Sequence, residues 1–483
     1  MIARSLLLGL VAVTMLGSCS RGDPEAPVTM SVITAEQDLR AKQARPADQN
    51  GLITATAQGL VSFDGEGQIE PGLAERWIVT DDGFSIIFRI RRILWADGRP
   101  VTSAAVARVL QRLVAADRKN RLQPMLGTID KIIPMTGQVL EIRLKSAQRD
   151  VLQLLAQPEM AITLDRPSNG TGPYRIHSVR DNVTRLRLLP PDGEEARAEA
   201  GQQDDIRIRR EAGARAVARF AAREIGLVTG GRFNTLPLVR PAAIANNQFI
   251  TDPAYGLFGF AVVDGSKALV SANVRRALAI AIDRERLVSS FGLSGWRAQY
   301  ALLPGQLDSA TAPAALEWVG LDKPARVARA RDYLQAAGTV PVVRIALPSG
   351  PGSRLLFAAI AEDWRQVGII AVRVGMNDAA DLRLIDEVAP QRTALWFLSR
   401  FSCGRGYMCS TLADTAIRAA LSTGVVSERA AAIAEADAAI ASEQLFIPLA
   451  LPLRWSLVSP ELTGWRANSF AVHPLHHLRK ARR

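Results

Sequence analysis

The 483-residue chain reads as an α/β protein, and three observations predict this. Phe84, Ile86, Phe88 and Ile90 alternate at period two, the pattern of a half-buried strand. Val106, Val109, Leu110 and Leu113 recur at i, i+3, i+4 and i+7, one apolar stripe of a helix facing a core. The two patterns then keep replacing one another along the chain, and strands alternating with helices build α/β layers. A hydrophobic fraction of 48% supplies ample core, and the length suits about two to four domains.

In chain order, residues 28 to 34 (VTMSVIT) read as the first strand. Asp64-Gly65 and Asp81-Asp82-Gly83 reverse the chain, because Gly takes positive φ without cost and Asp bonds its own backbone. Trp95-Ala96-Asp97-Gly98 turns into Pro100, Thr102 caps the helix that follows, and Leu140, Ile142 and Leu144 form a further alternating strand. Strand and helix signals return from 174 to 189 and from 205 to 230. One helix is predicted over 273 to 288, with Val274, Ala277, Leu278, Ala281, Ile282 and Val288 inward and Asp283-Arg284-Glu285 outward. Strand signals follow at 342 to 347, 370 to 374 and 394 to 398; Ser427 caps an Ala-rich helix running through Ile440; and 445 to 453 reads as a buried strand. Gly350-Pro351-Gly352-Ser353 reads as a strand-to-helix connection, with backbone N–H groups that could meet an anion as the alternative.

At the start of the chain Arg4 precedes an apolar run from Ser5 to Leu16. Twelve residues at about 1.5 Å each cannot span a bilayer of about 30 Å. The run is therefore a signal h-region, and Leu16-Gly17-Ser18-Cys19 resembles the bacterial lipobox, in which small residues precede a thiol that takes the lipid. Residues 1–19 are accordingly a lipoprotein signal peptide, Cys19 the lipidation site, and 20–27 a polar, Pro-containing tether.

Four motifs occur in one order. They are Pro71-Gly72-Leu73-Ala74-Glu75-Arg76-Trp77 with Asp82-Gly83 and the run from Trp95 to Thr102; Gly170-Thr171-Gly172-Pro173-Tyr174-Arg175; the run from Asn273 to Glu285 (NVRRALAIAIDRE); and Trp364-Arg365-Gln366-Val367-Gly368-Ile369. In that order they resemble the dipeptide- and oligopeptide-binding proteins, the extracytoplasmic solute-binding family 5 that feeds ABC importers. The resemblance implies a two-lobed periplasmic binding protein fold of type II, in the large cluster with an extra domain in the first lobe. It also implies lobe I over 28–235 with the extra subdomain at 55–160, lobe II over 236–452, and a return to lobe I with a basic tail over 453–483. The implied function is a monomeric periplasmic lipoprotein that closes on a peptide-like or other small polar solute and delivers it to permease subunits.

Chemistry of catalytic type is scarce, so an enzyme is not expected. His-Glu-x-x-His, Gly-x-Ser-x-Gly and the P-loop are absent from the sequence, and three of its four histidines fall in the last eleven residues. Loss of the signal peptide takes Arg4 with it and lowers the net charge from +12 to +11. A nucleic-acid partner is excluded by export and by dispersed arginines. No cofactor or metal site is expected.

With Cys19 assigned to lipid, Cys403 and Cys409 remain, with five residues between them. An oxidising compartment favours their pairing, and the family carries a similar Phe-Ser-Cys followed by a second cysteine, matched here by Phe401-Ser402-Cys403. Two free thiols, or half of a metal site completed by His473, His476 and His477, are the alternatives. In the resembled family an Asp of a Gly/Asp-rich segment in lobe II holds the peptide's amino terminus. Here Thr393 to Leu398 passes through Ser399-Arg400 directly into Phe401, so that segment looks deleted and no Asp stands in its place. Two readings of the site follow. Either Arg400 and Arg405 face the cleft and favour a carboxylate or phosphate on the solute, or both are solvated and the cleft is apolar. Trp396, Phe401 and Tyr407 would line the pocket, or pack as core. Asp378 and Asp381 are the candidates to replace the lost anchor. A rival function is a diverged member used as an envelope protein- or lipid-interaction factor without a transport role.

Overall fold

A computed structural model describes residues 27–39, 46–115, 121–147, 150–164, 169–189, 205–305, 307, 313–314 and 316–480. The signal peptide, Cys19 and nearly all of the tether lie outside the described residues. No helix among the described residues is long and apolar enough to cross a membrane.

The α/β expectation holds, with two main sheets. The first has seven strands in the order Phe249–Thr251, Arg454–Val458, Leu227–Arg232, Val28–Ile33, Ile206–Glu211, Val183–Leu188 and Tyr174–Arg180. Val28–Ile33 runs parallel to both its neighbours, and the outer pairings are antiparallel. The second has five strands in the order Ile370–Val374, Val342–Ala346, Leu382–Val388, Gly256–Val262 and Phe446–Ala450. Every residue of Gly256–Val262 is buried, as a strand covered on both faces requires.

The chain crosses between the two sheets twice, between Thr251 and Gly256 and between Ala450 and Arg454. Phe249–Thr251, expected beyond the lobe boundary at 235, is hydrogen-bonded in the first sheet. Residues 236–248 carry short 3-10 turns with no periodic signal, which hid where the crossing falls.

A four-stranded antiparallel sheet, Ala74–Val79, Ser85–Ile90, Val139–Leu144 and Ile129–Thr136, carries the helix Ser103–Val114. Ile86, Phe88, Ile90, Leu140, Ile142 and Leu144 are buried between them. Thr102 caps the helix, its hydroxyl accepting from Ala105 N at 3.2 Å. The Gly-Thr-Gly-Pro-Tyr segment serves close packing: Gly172 N donates to Thr56 O at 3.0 Å, and a Cβ on Gly172 would stand 2.4 Å from Ala55 O.

Several elements differ from expectation. Residues 394–398 are helical, within Ala394–Ser399, because an unbroken apolar run has no period and packing decides its conformation. The single helix over 273–288 is two, Ala272–Ala281 and Arg284–Ser290, with Asp283 Oδ1 accepting from Arg286 N at 3.2 Å to start the second. Arg284, expected on a polar face, is fully buried. The Ala-rich helix is Val426–Glu443 with Val425 at its cap position, so Ser427 lies inside it. Leu382–Val388 is a strand that the pattern did not reveal. At the Gly350–Ser353 turn a Cβ on Gly352 would stand 2.0 Å from Phe233 O, and Gly352 N donates to Asn234 O at 2.9 Å. That helix start therefore packs on protein backbone.

Candidate functional site

A cavity of about 850 Å³ lies between the two main sheets. The first sheet contributes Thr229–Arg232 and Arg454–Ser456, the second contributes Asp386, Glu387 and Val388, and the C-terminal segment contributes Trp465 and residues from Phe470 to His473. Arg121, Pro158 and Glu159 reach it from the segments that flank the four-stranded sheet. Register slips between Val228 and Gly231, a bulge that redirects the end of the strand towards the cavity. Gly231 lies against the Trp455 ring, where a Cβ would come within 2.1 Å.

Charged groups line the cavity in pairs. Arg454 Nη1 donates to Asp386 Oδ1 at 2.6 Å and its Nη2 to Asp386 O at 3.0 Å. Arg232 stands 3.9 Å from the other carboxylate oxygen. Glu387 accepts from Arg400 Nη2 at 2.6 Å. Arg121 pairs with Glu159 and donates to Val388 O at 3.3 Å, tying the segment after the helix Ser103–Val114 to the second sheet.

Asp252, at the first crossing, accepts from Asn468 N at 3.0 Å and contacts His473 Nε2 at 3.1 Å. Asn468 Nδ2 lies 3.3 Å from His473 Nδ1. Asn468 Nδ2 also donates to Val472 O at 2.9 Å, which ties the segment carrying His473 to the same amide. Trp465 stacks on His473 with ring centroids 4.1 Å apart. Trp465 Nε1 and Glu159 Oε2 are buried and make no hydrogen bond among the described residues. Buried polar atoms are normally satisfied, so Glu159 and Trp465, both lining the cavity, each carry one polar atom whose hydrogen-bonding capacity is unused among the described residues.

The residues singled out from the sequence lie elsewhere. Trp396 and Phe401 are buried in the core, Trp396 against Phe397 and Phe401 against Phe446 with ring centroids 5.2 Å apart. Tyr407 is half-buried and bridges to Val263, and burial raises its hydroxyl pKa. Arg405 is exposed, and partial desolvation with repulsion from Arg400 lowers its pKa. Among the described residues that line the cavity, none is Trp396, Arg400, Phe401, Arg405 or Tyr407; Arg400 reaches it only through Glu387. Cys403 and Cys409 form a disulfide. Asp381 is committed to Ser266 Oγ at 2.9 Å and Arg344 N at 2.8 Å, and Asp378 to Gly375 N at 2.8 Å. Neither offers a carboxylate to the cavity. Asp386 and Glu387 were missed because they end an unrecognised strand; the alternation of Leu382 and Leu384 ahead of them was the available signal.

Two α/β lobes crossed twice by the chain, with a cavity walled from both, define the class of two-lobed binding proteins. Residues 68–393 match the family described as bacterial extracellular solute-binding proteins, family 5, and the chain belongs to that family. It is 47% identical over 64 residues to the probable deoxycholate-binding periplasmic protein YgiS of Escherichia coli K12, a segment that is 13% of this chain and 12% of that relative. It is 28% identical over 188 residues, 36% of each chain, to the glutathione-binding protein GsiB of Escherichia coli O1:K1. The match thus spans well under two thirds of either relative. Among solved structures, Haemophilus influenzae OppA in complex with RPPGFSPFR superposes with a TM-score of 0.80 at 15% identity, covering 94% of this chain and 99% of that one.

Proposed function

We propose that this chain is the solute receptor of an ABC importer, taking a peptide-like or other small polar solute into the cavity between its lobes and presenting the closed form to a permease. The observation that carries this reading is the cavity of about 850 Å³, walled by both lobes and rich in charged groups. Its size falls within the range of about 300–1,000 Å³ usual for small-molecule sites. The lobes divide at 252–255 and 451–453, so a hinge at those crossings would open and close the cavity.

Every carboxylate at the cavity wall already has a cationic or imidazole partner. The favoured solute is therefore polar and near-neutral or zwitterionic, and Glu159 and Trp465, each lining the cavity with one polar atom unsatisfied among the described residues, are the side chains best placed to turn toward it. Cys19 would carry the lipid that holds the receptor at the membrane. Family membership does not favour the rival role as an envelope interaction factor.

The test uses the soluble chain without its lipid anchor, residues 20–483. Native mass spectrometry identifies the copurifying small molecule, and calorimetry on stripped protein measures its affinity. Glu159→Gln combined with Trp465→Phe should weaken it at least tenfold, about 1.4 kcal/mol. A mature protein that retains no small molecule, and whose radius of gyration is unchanged by candidate solutes, would overturn the proposal.

A further inference from the structure

Away from the cavity, three side chains from distant parts of the sequence meet at the surface of the first lobe. Glu70 lies on the short strand Ile69–Pro71, which pairs with Val61–Phe63. His476 and His477 belong to the 3-10 turn Leu475–His477, just before Arg479–Lys480 pairs with Leu462–Thr463. His476 Nε2 lies 3.2 Å and His477 Nε2 3.1 Å from the same oxygen, Glu70 Oε1. The two imidazole rings stand 4.2 Å apart between centroids. All three side chains are half-buried, so they are fixed in place yet open to small ions.

Two imidazoles converging on one carboxylate oxygen match the chemistry of a metal site more closely than that of a simple ion pair. In a tetrahedral zinc site with bonds of about 2.0–2.1 Å, neighbouring ligand atoms stand about 3.3 Å apart. The observed 3.1 and 3.2 Å lie close to that edge length. Each residue offers one ligand atom, and the three atoms lie within 4.8 Å of one another. A His2Glu set suits zinc and the late first-row divalent ions, and leaves a fourth position for water.

We propose that Glu70 Oε1, His476 Nε2 and His477 Nε2 form a binding site for a divalent transition-metal ion of the zinc class. The ion would clamp the C-terminal turn to the hairpin that carries Glu70. Val472 and His473, just before that turn, and Leu475, its first residue, line the solute cavity, so the clamp would also fix one cavity wall. The site involves none of the groups assigned to the solute, and it stands or falls independently of the transport reading.

The test uses the untagged mature chain after treatment with a chelator and desalting, titrated with Zn²⁺ by calorimetry and with Co²⁺ by visible absorption. One ion per chain is expected, with the intense d–d bands of a tetrahedral Co²⁺ site. Glu70→Gln and His477→Ala should each weaken Zn²⁺ on the order of tenfold or more, while His177→Ala leaves it unchanged. Wild-type Co²⁺ absorption needs no variant, so poor folding of a tail variant cannot mask the answer. A Co²⁺ spectrum identical to the free ion, or Zn²⁺ binding equal in the wild type and His476→Ala/His477→Ala, would overturn the site.

Discussion

Asp386 shows how much of the cavity rests on one residue. Its carboxylate, 10% exposed, lies between Arg454 at 2.6 Å and Arg232 at 3.9 Å. Removing it leaves Arg454, itself 12% exposed, without its partner at the cavity wall. Breaking a buried pair from one side costs about 3–5 kcal/mol. Asp386→Ala should therefore lower unfolding free energy by about 3 kcal/mol and weaken solute binding, whereas Asp386→Asn, which keeps an acceptor for Arg454, loses less. Urea unfolding of the two variants checks this; equal stability of wild type and Asp386→Ala would mean that the pair is not maintained in solution. The cysteine pairing was legible because two independent signals pointed to it, the oxidising compartment implied by the leader and the resemblance of Phe401-Ser402-Cys403 to the family's pattern. The Asp386–Arg454 pair was not, since its members are 68 residues apart and meet only because the chain crosses twice between sheets. Arg400 and Arg405 drew attention by proximity to a motif, and sequence proximity does not report which face a side chain takes.

Among the elements, the break between Ala272–Ala281 and Arg284–Ser290 is organised by one guanidinium. Arg284 Nε donates to Pro448 O at 2.7 Å, and Nη1 donates to Ala279 O at 2.9 Å and Ile282 O at 3.3 Å. It thus satisfies carbonyls at the end of the first helix and joins them to the strand that leads into the second crossing. Tyr300 and Trp318 cover it, with ring centroids 5.4 and 4.9 Å away. Burial pushes its pKa down to about 9, so it remains charged at neutral pH. Arg284→Met fills the space but leaves those carbonyls without a donor, and should cost about 3 kcal/mol; an unfolding curve that overlays the wild type would refute this account. Periodicity alone could not reveal the residue, because a buried Arg beside Asp and Glu looks like a polar face.

A second buried charge gives a pH dependence of known sign. Asp437, on the helix Val426–Glu443, is 2% exposed and accepts from Ala314 N at 2.7 Å. Burial raises its pKa above 3.8, with that hydrogen bond opposing the shift. A raised folded pKa means that the fold favours the protonated form, a contribution fully present below pH 3.8 and lost as pH rises through the folded value. Asp437→Asn keeps an acceptor for Ala314 N without the buried charge. It should exceed the wild type in urea midpoint near neutral pH, by a margin that narrows on acidification; a margin independent of pH would remove the buried carboxylate as its cause.

At the scale of the whole molecule, the α/β class, the four-stranded subdomain with its capped helix and the family were legible, because each rests on local periodicity, turn chemistry or ordered motifs. The crossing points and the cavity were not, since they arise from pairings such as Phe249–Thr251 with Arg454–Val458, set by the assembled sheet. Attachment to the membrane depends on the proposed lipidation: Cys19→Ser should yield an unlipidated precursor that leaves the membrane fraction, and unchanged fractionation with no lipid on the wild-type N-terminal peptide would exclude it. The mode of solute recognition gives the most discriminating prediction. A peptide's ammonium group needs a carboxylate free to neutralise it, but Glu159 pairs with Arg121, Asp386 with Arg454, Glu387 with Arg400, and Asp252 contacts His473. An entering ammonium would have to displace one of these partners in a partly dry cavity, so it gains little over a neutral amide. Free and N-acetylated forms of the same short peptide should therefore bind stripped protein with affinities differing by less than about threefold, under about 0.7 kcal/mol. Calorimetry with both forms decides it. Tight binding of the free peptide that acetylation abolishes would mean that one of the four carboxylates gives up its partner to hold the amino terminus, and Asp386→Asn and Glu159→Gln would then identify which.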